Sequence, residues 1–245
     1  QIFKGKDIEL RAMNGLYPPA IDEDIISMMK KSGFKALNLS LGSTSKQQLK
    51  KFGRKDVRPS FEKALELAQK HNLECISYII AASPGQSAAT CLKDLLYLAQ
   101  KRTLIGLSIY YPAPGSLDYQ LYEDKNIFPE HFSLMRSSAL PLDDKTSRRQ
   151  AVTLLRLSRI LNFMKHLKDT SEPIPEPKPF VDQTIKPSNR QTVSKKLLQY
   201  FLYDGKIRGT DSYGRVYSHL IDPDLTMQFI KKIKAITIAG SAINL

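Results

Sequence analysis

The sequence predicts an α/β domain built on a parallel sheet. Strand-like runs alternate with helix-like runs of ten or more residues through the first two thirds of the chain, the pattern of β-α-β units whose strands lie parallel. Apolar residues make up 42% of the 245, enough for a substantial core. Four strand-like runs also end in small, polar or Gly/Pro-rich stretches, at Asn14-Gly15, Ser40–Ser43, Ala81–Gln86 and Tyr110–Gly115. In parallel architectures the carboxyl ends of strands are where ligands bind. Four such ends together favour a ligand lying across the mouth of the sheet. A barrel and an open sheet both satisfy the pattern.

The elements follow in order. "DIELRAMNG" reads as a strand ending near Asn14-Gly15. "AIDEDIISMMKKSG" reads as a helix with acidic residues in its first turn, lysines in its last and Gly33 as its cap. "KALNLSLGS" is the next strand. "DVRPSFEKALELAQKHN" is a helix, with Pro59 near its start and Phe61, Ala64, Leu65 and Ala68 at helical spacing. "LECISYIIAASPG", "SAATCLKDLLYLAQKR" and "LIGLSIYYPAPGS" continue as strand, helix and strand. After Gly115 the chain turns irregular and aromatic. "DKTSRRQAVTLLRLSRILNFMKHLKD" then reads as one long amphipathic helix with apolar positions Val152, Leu155, Ile160, Phe163 and Leu167. "TSEPIPEPKPF" reads as an extended, exposed linker. The tail reads as a helix, a hairpin with Gly turns and a closing helix. The chain therefore divides into a sheet-bearing part (residues 1–140), the long helix (141–168), a Pro-rich linker (169–191) and a small α+β extension (192–245).

Composition bounds the function. The apolar runs are strand-sized, short of the roughly 20 residues a membrane span needs. Two cysteines, Cys75 and Cys91, are too few for a disulfide framework or a Cys-rich metal site. They read as buried small hydrophobes and fit a reducing, cytoplasmic compartment. The N-terminus lacks both Met and an apolar signal core, so the chain reads as a fragment or a processed piece. Net charge is +13, which allows a nucleic-acid partner. The basic residues are dispersed, and the one dense cluster is 46–58, a solvated helix face or an anion clamp.

Hydrolytic chemistry has little support. His71, His131, His166 and His219 are scattered, none at metal-ligand spacing. G-x-S-x-G, Walker and G-x-G-x-x-G signatures are absent. What remains at the strand ends is backbone, Asn, Ser, Gln and Tyr, with Arg54 and Arg58 nearby. Such a site suits a polar organic cofactor, which would carry any reaction itself. A phosphorylated metabolite is a weaker alternative, with only "SLGSTS" to cradle the phosphate.

The strand ends "GFKALNLSLGS", "LKKFGRKDVRPSFEKALELA", "LECISYIIAASPGQS" and "IGLSIYYPAPGS" together resemble the radical S-adenosylmethionine enzymes, in the register of strands four, five and six, with "IELRAMNGLYP" similar to strand three. The tail, from "MRSSALP" through "RILNFMKHL" to "GRVYSHL", is similar to the subgroup that often carries a cobalamin-binding domain. The resemblance covers nearly the whole chain and implies a partial (β/α)6 TIM-type barrel, strands three to six, with a C-terminal helical and α+β extension. It implies S-adenosylmethionine, a [4Fe–4S] cluster and, through the subgroup, cobalamin as cofactors. It implies deoxyadenosyl-radical chemistry or methyl transfer on a substrate the residues do not name.

Residue by residue, the resemblance implies that Ala81, Ala82 and Gly85 let the adenine approach the backbone. Asn38 and Ser40 would face the ribose and the methionyl arm. Arg54 would pair with the carboxylate, a fork-to-carboxylate contact. Tyr110 and Tyr111 would flank the base or the substrate mouth, and Asn14, Tyr78, Ile80 and Pro84 complete the implied cofactor-binding set. The chain departs from the family where it matters most: the C-x3-C-x2-C triplet that holds the cluster is absent, as is the glycine-rich second-strand motif. The implied reading is a portion whose cluster half lies on missing N-terminal sequence or on a partner chain, unable to cleave S-adenosylmethionine by itself. It would also present an exposed, sticky parallel edge. The alternative is a non-catalytic RNA-binding or partner-binding module using the basic face 46–58, whose affinity would fall steeply with salt.

Overall fold

The computed structural model describes residues 8–12, 15–128, 130–131, 141–142, 145–186 and 189–241. Four strands, β1 (Leu10–Arg11), β2 (Phe34–Gly42), β3 (Glu74–Ala81) and β4 (Leu104–Ile109), pair in parallel in the order of the sequence. Between and after them run α1 (Glu23–Lys31), α2 (Lys46–Lys51), α3 (Arg58–Lys70), α4 (Ala88–Ala99) and α5 (Leu117–Asp124). A strand order that never reverses puts right-handed crossovers on one face of the sheet only. The other face is left open, and the sheet is a four-stranded half-barrel rather than a doubly wound layer.

The helix starts are set locally. Asp22, Ser45, Ser87 and Ser116 each accept a hydrogen bond from the backbone N–H three residues on, at Ile25, Gln48, Thr90 and Tyr119. Ser116 shows why the stretch after Gly115 is partly regular: capped in this way, residues 117–124 form α5 instead of the irregular segment the sequence suggests.

Alternation along the strands separates two faces. On β3, Cys75, Ser77, Ile79 and Ala81 are buried beneath the helices, while Ile76, Tyr78 and Ile80 are half-exposed on the open face. The register places Asn38 and Ser40 of β2, and Gly106 and Ser108 of β4, on that open face with them. Tyr78 lies flat over Gly106, where an added Cβ would meet the ring at 2.6 Å. On the helix side, Phe61, Ala64 and Ala68 of α3 and Cys91, Leu92, Leu95 and Leu98 of α4 join Leu37, Leu39 and Ile79 in one core.

The second half of the chain buttresses that core with α6 (Arg148–Asp169), α7 (Arg190–Asp204), the antiparallel hairpin β5 (Arg208–Thr210) and β6 (Val216–Ser218), and α8 (Pro223–Ile233). Helix α6 starts at a capping box between Ser147 and Gln150. Its fully buried face is Ala151, Leu154, Leu157, Leu161 and Met164. Of the stripe read from the sequence, Leu167 is buried, while Val152, Leu155, Ile160 and Phe163 are only partly so. The helix is apolar on more than one side because it packs on the sheet, α4 and α8 at once.

The sheet has two edges, β1 and β4, and the one at β4 is covered. Asn162 of α6 accepts from the Ile105 N–H and donates to the Ile105 carbonyl, both at 2.9 Å, so its amide stands in for a fifth strand. One turn on, Lys165 is wholly buried and donates to the carbonyls of Ala99, Lys101 and Ala239 at 3.2, 2.6 and 3.1 Å. Burial pushes its ammonium down to about 7, and Asp169 opposes that shift. Residues 172–182 of the Pro-rich linker lie in no helix or strand and are partly rather than fully exposed, and the segment is anchored. Phe180 meets Tyr200 edge-on at 5.2 Å, the Arg208 guanidinium lies 4.2 Å over Phe180, and Ile185 is buried and donates to the Gly214 carbonyl. No helix among the described residues is long and apolar enough to cross a membrane.

Candidate functional site

The loops at the carboxyl ends of β2, β3 and β4 meet at one mouth. After β2, Ser43 and Thr44 are held by Asp94 of α4. Its carboxylate accepts from Ser43 Oγ at 2.8 Å, the Thr44 N–H at 2.7 Å and Thr44 Oγ1 at 2.6 Å. Burial holds the Asp94 carboxyl above its ordinary range, while those three bonds pull the other way. With this loop anchored, Ser45 caps α2 and the chain turns at Gly53, so that the Arg54 N–H donates to the Leu49 carbonyl.

Arg54 then reaches back to β2, its Nη1 donating to Ser40 Oγ at 3.3 Å. Gly15, Tyr17, Ser40, Leu41, Gly53, Arg54, Lys55 and Val57 line a cavity of about 420 Å³ here. Gly15 lies so close to β2 that a Cβ would stand 2.9 Å from Ser40 Cβ. Leu16 continues the pairing along β2, donating to the Asn38 carbonyl and accepting from the Ser40 N–H. Arg58, the other candidate arginine, is committed to Asp56 at 2.5 Å. No ion-pair partner for Arg54 is found among the described residues.

The turn after β3 is built from buried amides and hydroxyls. Gln48 donates to Ser83 Oγ at 2.9 Å, Ser83 Oγ donates to Gln86 Oε1 at 2.8 Å, and Thr146 donates to the Gln86 carbonyl at 2.7 Å. Ala82 is held at φ +56°, a left-handed conformation that costs a non-glycine residue about 1–2 kcal/mol. The glycine at 85 has φ +70°, and a Cβ there would overlap the Lys51 ammonium. Part of the small backbone in "AASPG" therefore accommodates Lys51 and the turn itself. At the end of β4, Tyr110 stacks on Phe52 with centroids 6.5 Å apart, and its hydroxyl donates to Asp118. Burial first, then that carboxylate, pushes the Tyr110 hydroxyl up.

The structure thus brings Ser40 and Arg54 together at a cavity. It places Tyr78 and Ile80 half-exposed on the open face beside them, Asn38 on that face but buried, and Pro84, Gly85 and Tyr110 at the rim. Ala81 is fully buried on the helix side, so its side chain faces the core and only its backbone borders the mouth; its carbonyl accepts from the Tyr110 N–H. Tyr111 is half-buried against the core, and burial pushes its hydroxyl up. Asn14 lies outside the described residues. Sequence reasoning missed Tyr17, Phe52 and Lys55; the last two sit on a loop that Asp94 anchors from a distant helix.

Cys75 and Cys91 are 3% and 1% exposed, and burial pushes both thiols up to about 12. An iron–sulfur cluster needs cysteine thiolates. These two side chains, on β3 and α4 beneath the sheet, do not fit one. No group of three or more His, Cys, Asp or Glu residues suited to a metal is found among the described residues. His71 instead contacts Glu23 at 3.1 Å.

No family model matches the chain, and no curated protein matches it. Among solved structures, it is similar to one described as the radical S-adenosylmethionine methyltransferase TsrM from Kitasatospora setae with cobalamin and a [4Fe-4S] cluster bound. The identity is 16% and the TM-score 0.33, covering 38% of this chain and 19% of that one. The chain spans about a fifth of that structure's length in the matched region.

Proposed function

We propose that the mouth of the half-barrel binds a nucleoside cofactor carrying an amino-acid arm, S-adenosylmethionine in the reading the sequence resemblance implies. The observation that carries this is the Arg54–Ser40 pair at a cavity of about 420 Å³, with the guanidinium aligned on a strand end and unpaired to any described carboxylate. Arg54 would fork onto the cofactor carboxylate, Lys55 would add to the positive field, and Asn38, Ser40 and Tyr78 would face the ribose and base from the open face. Bound there, the cofactor would supply a transferable methyl group or a hydrogen-abstracting fragment. The sheet would be strands three to six of a partial (β/α)6 barrel. The cluster and any cobalamin would be held by other polypeptide, since this chain's cysteines do not fit the former. No electron-transfer step is assigned to these residues.

The test uses equilibrium dialysis on the 245-residue chain with S-adenosylhomocysteine and with methylthioadenosine, which lacks the amino-acid arm. The wild-type chain should prefer the first by about tenfold, one charge-assisted contact at a partly exposed site. Arg54→Gln should erase that preference and leave methylthioadenosine binding unchanged. No binding of either compound, or a preference that survives Arg54→Gln, refutes the proposal.

A second reading rests on the exposure of Lys46, Lys50, Arg54 and Lys55 around α2. It is a backbone-binding face for RNA. Binding of single-stranded RNA that weakens steeply with added salt would favour it, and no binding at low salt would remove it.

A further inference from the structure

We propose that the groove between α6 and α7 is a second binding site, for a small amphiphilic anion: a carboxylate or sulfonate on an aromatic or branched apolar body. The groove encloses about 710 Å³, within the roughly 300–1,000 Å³ of small-molecule sites. Ile160 and Phe163 form one wall, and Leu197, Leu198 and Phe201 the other. Asn162, committed to the β4 edge, closes one side.

Charge decides the kind of occupant. None of the groove's described lining residues is acidic, and Arg159, Arg190 and Arg208 all line it. Arg208 is already engaged by Asp204 at 2.5 Å. The nearby Glu172 is taken up by Lys195 and Gln191. Arg159 on α6 and Arg190 in the first turn of α7 have no ion-pair partner among the described residues, and they face the groove from opposite walls. The start of the 15-residue helix α7 adds its positive dipole end on the same side.

The α6 stripe repeats the same deficit. Arg156, Arg159, Phe163 and His166 recur along one side of that helix, and Arg156 Nε and His166 Nδ1 are buried with no hydrogen-bond partner among the described residues. Arg156 is pushed down by burial first and then by the like charge of Arg159. A carboxylate or sulfonate held between Arg159 and Arg190 would relieve that repulsion, while its apolar body would fill the space between Phe163 and Phe201.

The experiment is a fluorescence titration of the full chain with two matched dyes, anilinonaphthalene sulfonate and the uncharged phenylnaphthylamine. Wild type should bind one equivalent of the sulfonate. The double variant Arg159→Gln/Arg190→Gln, both positions exposed, should weaken it by about tenfold and change the uncharged dye by less than twofold. A control that removes two positive charges elsewhere, Lys31→Gln/Lys93→Gln, should bind as wild type does, and circular dichroism should report the same fold for all three chains. Phe163→Ala should weaken both dyes. No sulfonate binding by wild type overturns the proposal, as does an equal loss in the control or an equal loss of both dyes in the arginine variant. A dimer in sedimentation that blocks the dye until it dissociates would assign the groove to a second copy of this chain, and also overturns it.

Discussion

Replacing Asp94 with Ala should cost about 3–4 kcal/mol of folding stability. The carboxylate accepts three bonds of 2.6–2.8 Å, from Ser43 Oγ, the Thr44 N–H and Thr44 Oγ1. Ser43 is 1% exposed, so water does not readily replace the lost acceptor. The donor on buried Ser43 left unpaired costs roughly 1.5 kcal/mol and the two on partly buried Thr44 roughly 1 kcal/mol each, which gives the total. Asp94→Asn should cost less than about 1 kcal/mol, because one amide oxygen can keep both Thr44 bonds while the Ser43 hydroxyl turns to accept. The pH dependence separates the two effects. The folded carboxyl is raised above its unfolded value of 3.8, chiefly by burial, so the folded state binds the proton more tightly. Its contribution is complete below pH 3.8 and is lost as pH rises through the folded pKa. Wild type should therefore gain on Asp94→Asn as pH is lowered from 7 toward 4. Urea unfolding of the three chains at several pH values measures this. A loss under 1 kcal/mol in Asp94→Ala, equal losses in both variants, or a pH-independent gap to Asp94→Asn would each refute the reasoning.

Two other outcomes follow from single contacts. Gly106→Ala places a Cβ 2.6 Å from the Tyr78 ring, so the ring must leave the β4 surface. The expected cost is about 1–3 kcal/mol with a changed near-ultraviolet tyrosine signal, and an unaltered spectrum and midpoint would show that Tyr78 does not lie there. Asn162→Ala should destabilise by about 2 kcal/mol and promote concentration-dependent association by freeing the Ile105 N–H and C=O at the β4 edge. A fully stable monomeric variant would show that the edge is protected by something else.

The candidate site was legible in part. Ser40 and Arg54 stand fourteen residues apart and both read from one strand end and the stretch that follows it, while the loop that brings them together is anchored by Asp94 of α4. The role of Ala81 was not legible. One-residue alternation decides which face a strand side chain takes, and the boundary of β3 with its turn sets the phase. The groove between α6 and α7 left no sequence signal, since Arg159 and Arg190 acquire their meaning only when two helices face each other.

What the sequence determined by itself is whatever depends on neighbours a few residues away. The strand–helix alternation, the acidic first turn and lysine-bearing last turn of α1, and the start of α3 near Pro59 all hold in the structure. Tertiary structure alone decided the fate of the buried polar groups. Asp94 in an apolar helix became the anchor of a loop fifty residues earlier, Asn162 became the cover of a sheet edge, and Lys165 became the clasp of three carbonyls. A polar side chain at a helical position reads as solvent-facing until distant backbone groups arrive that would otherwise be buried unpaired. The cost of leaving such groups unpaired then outweighs the local preference for solvent.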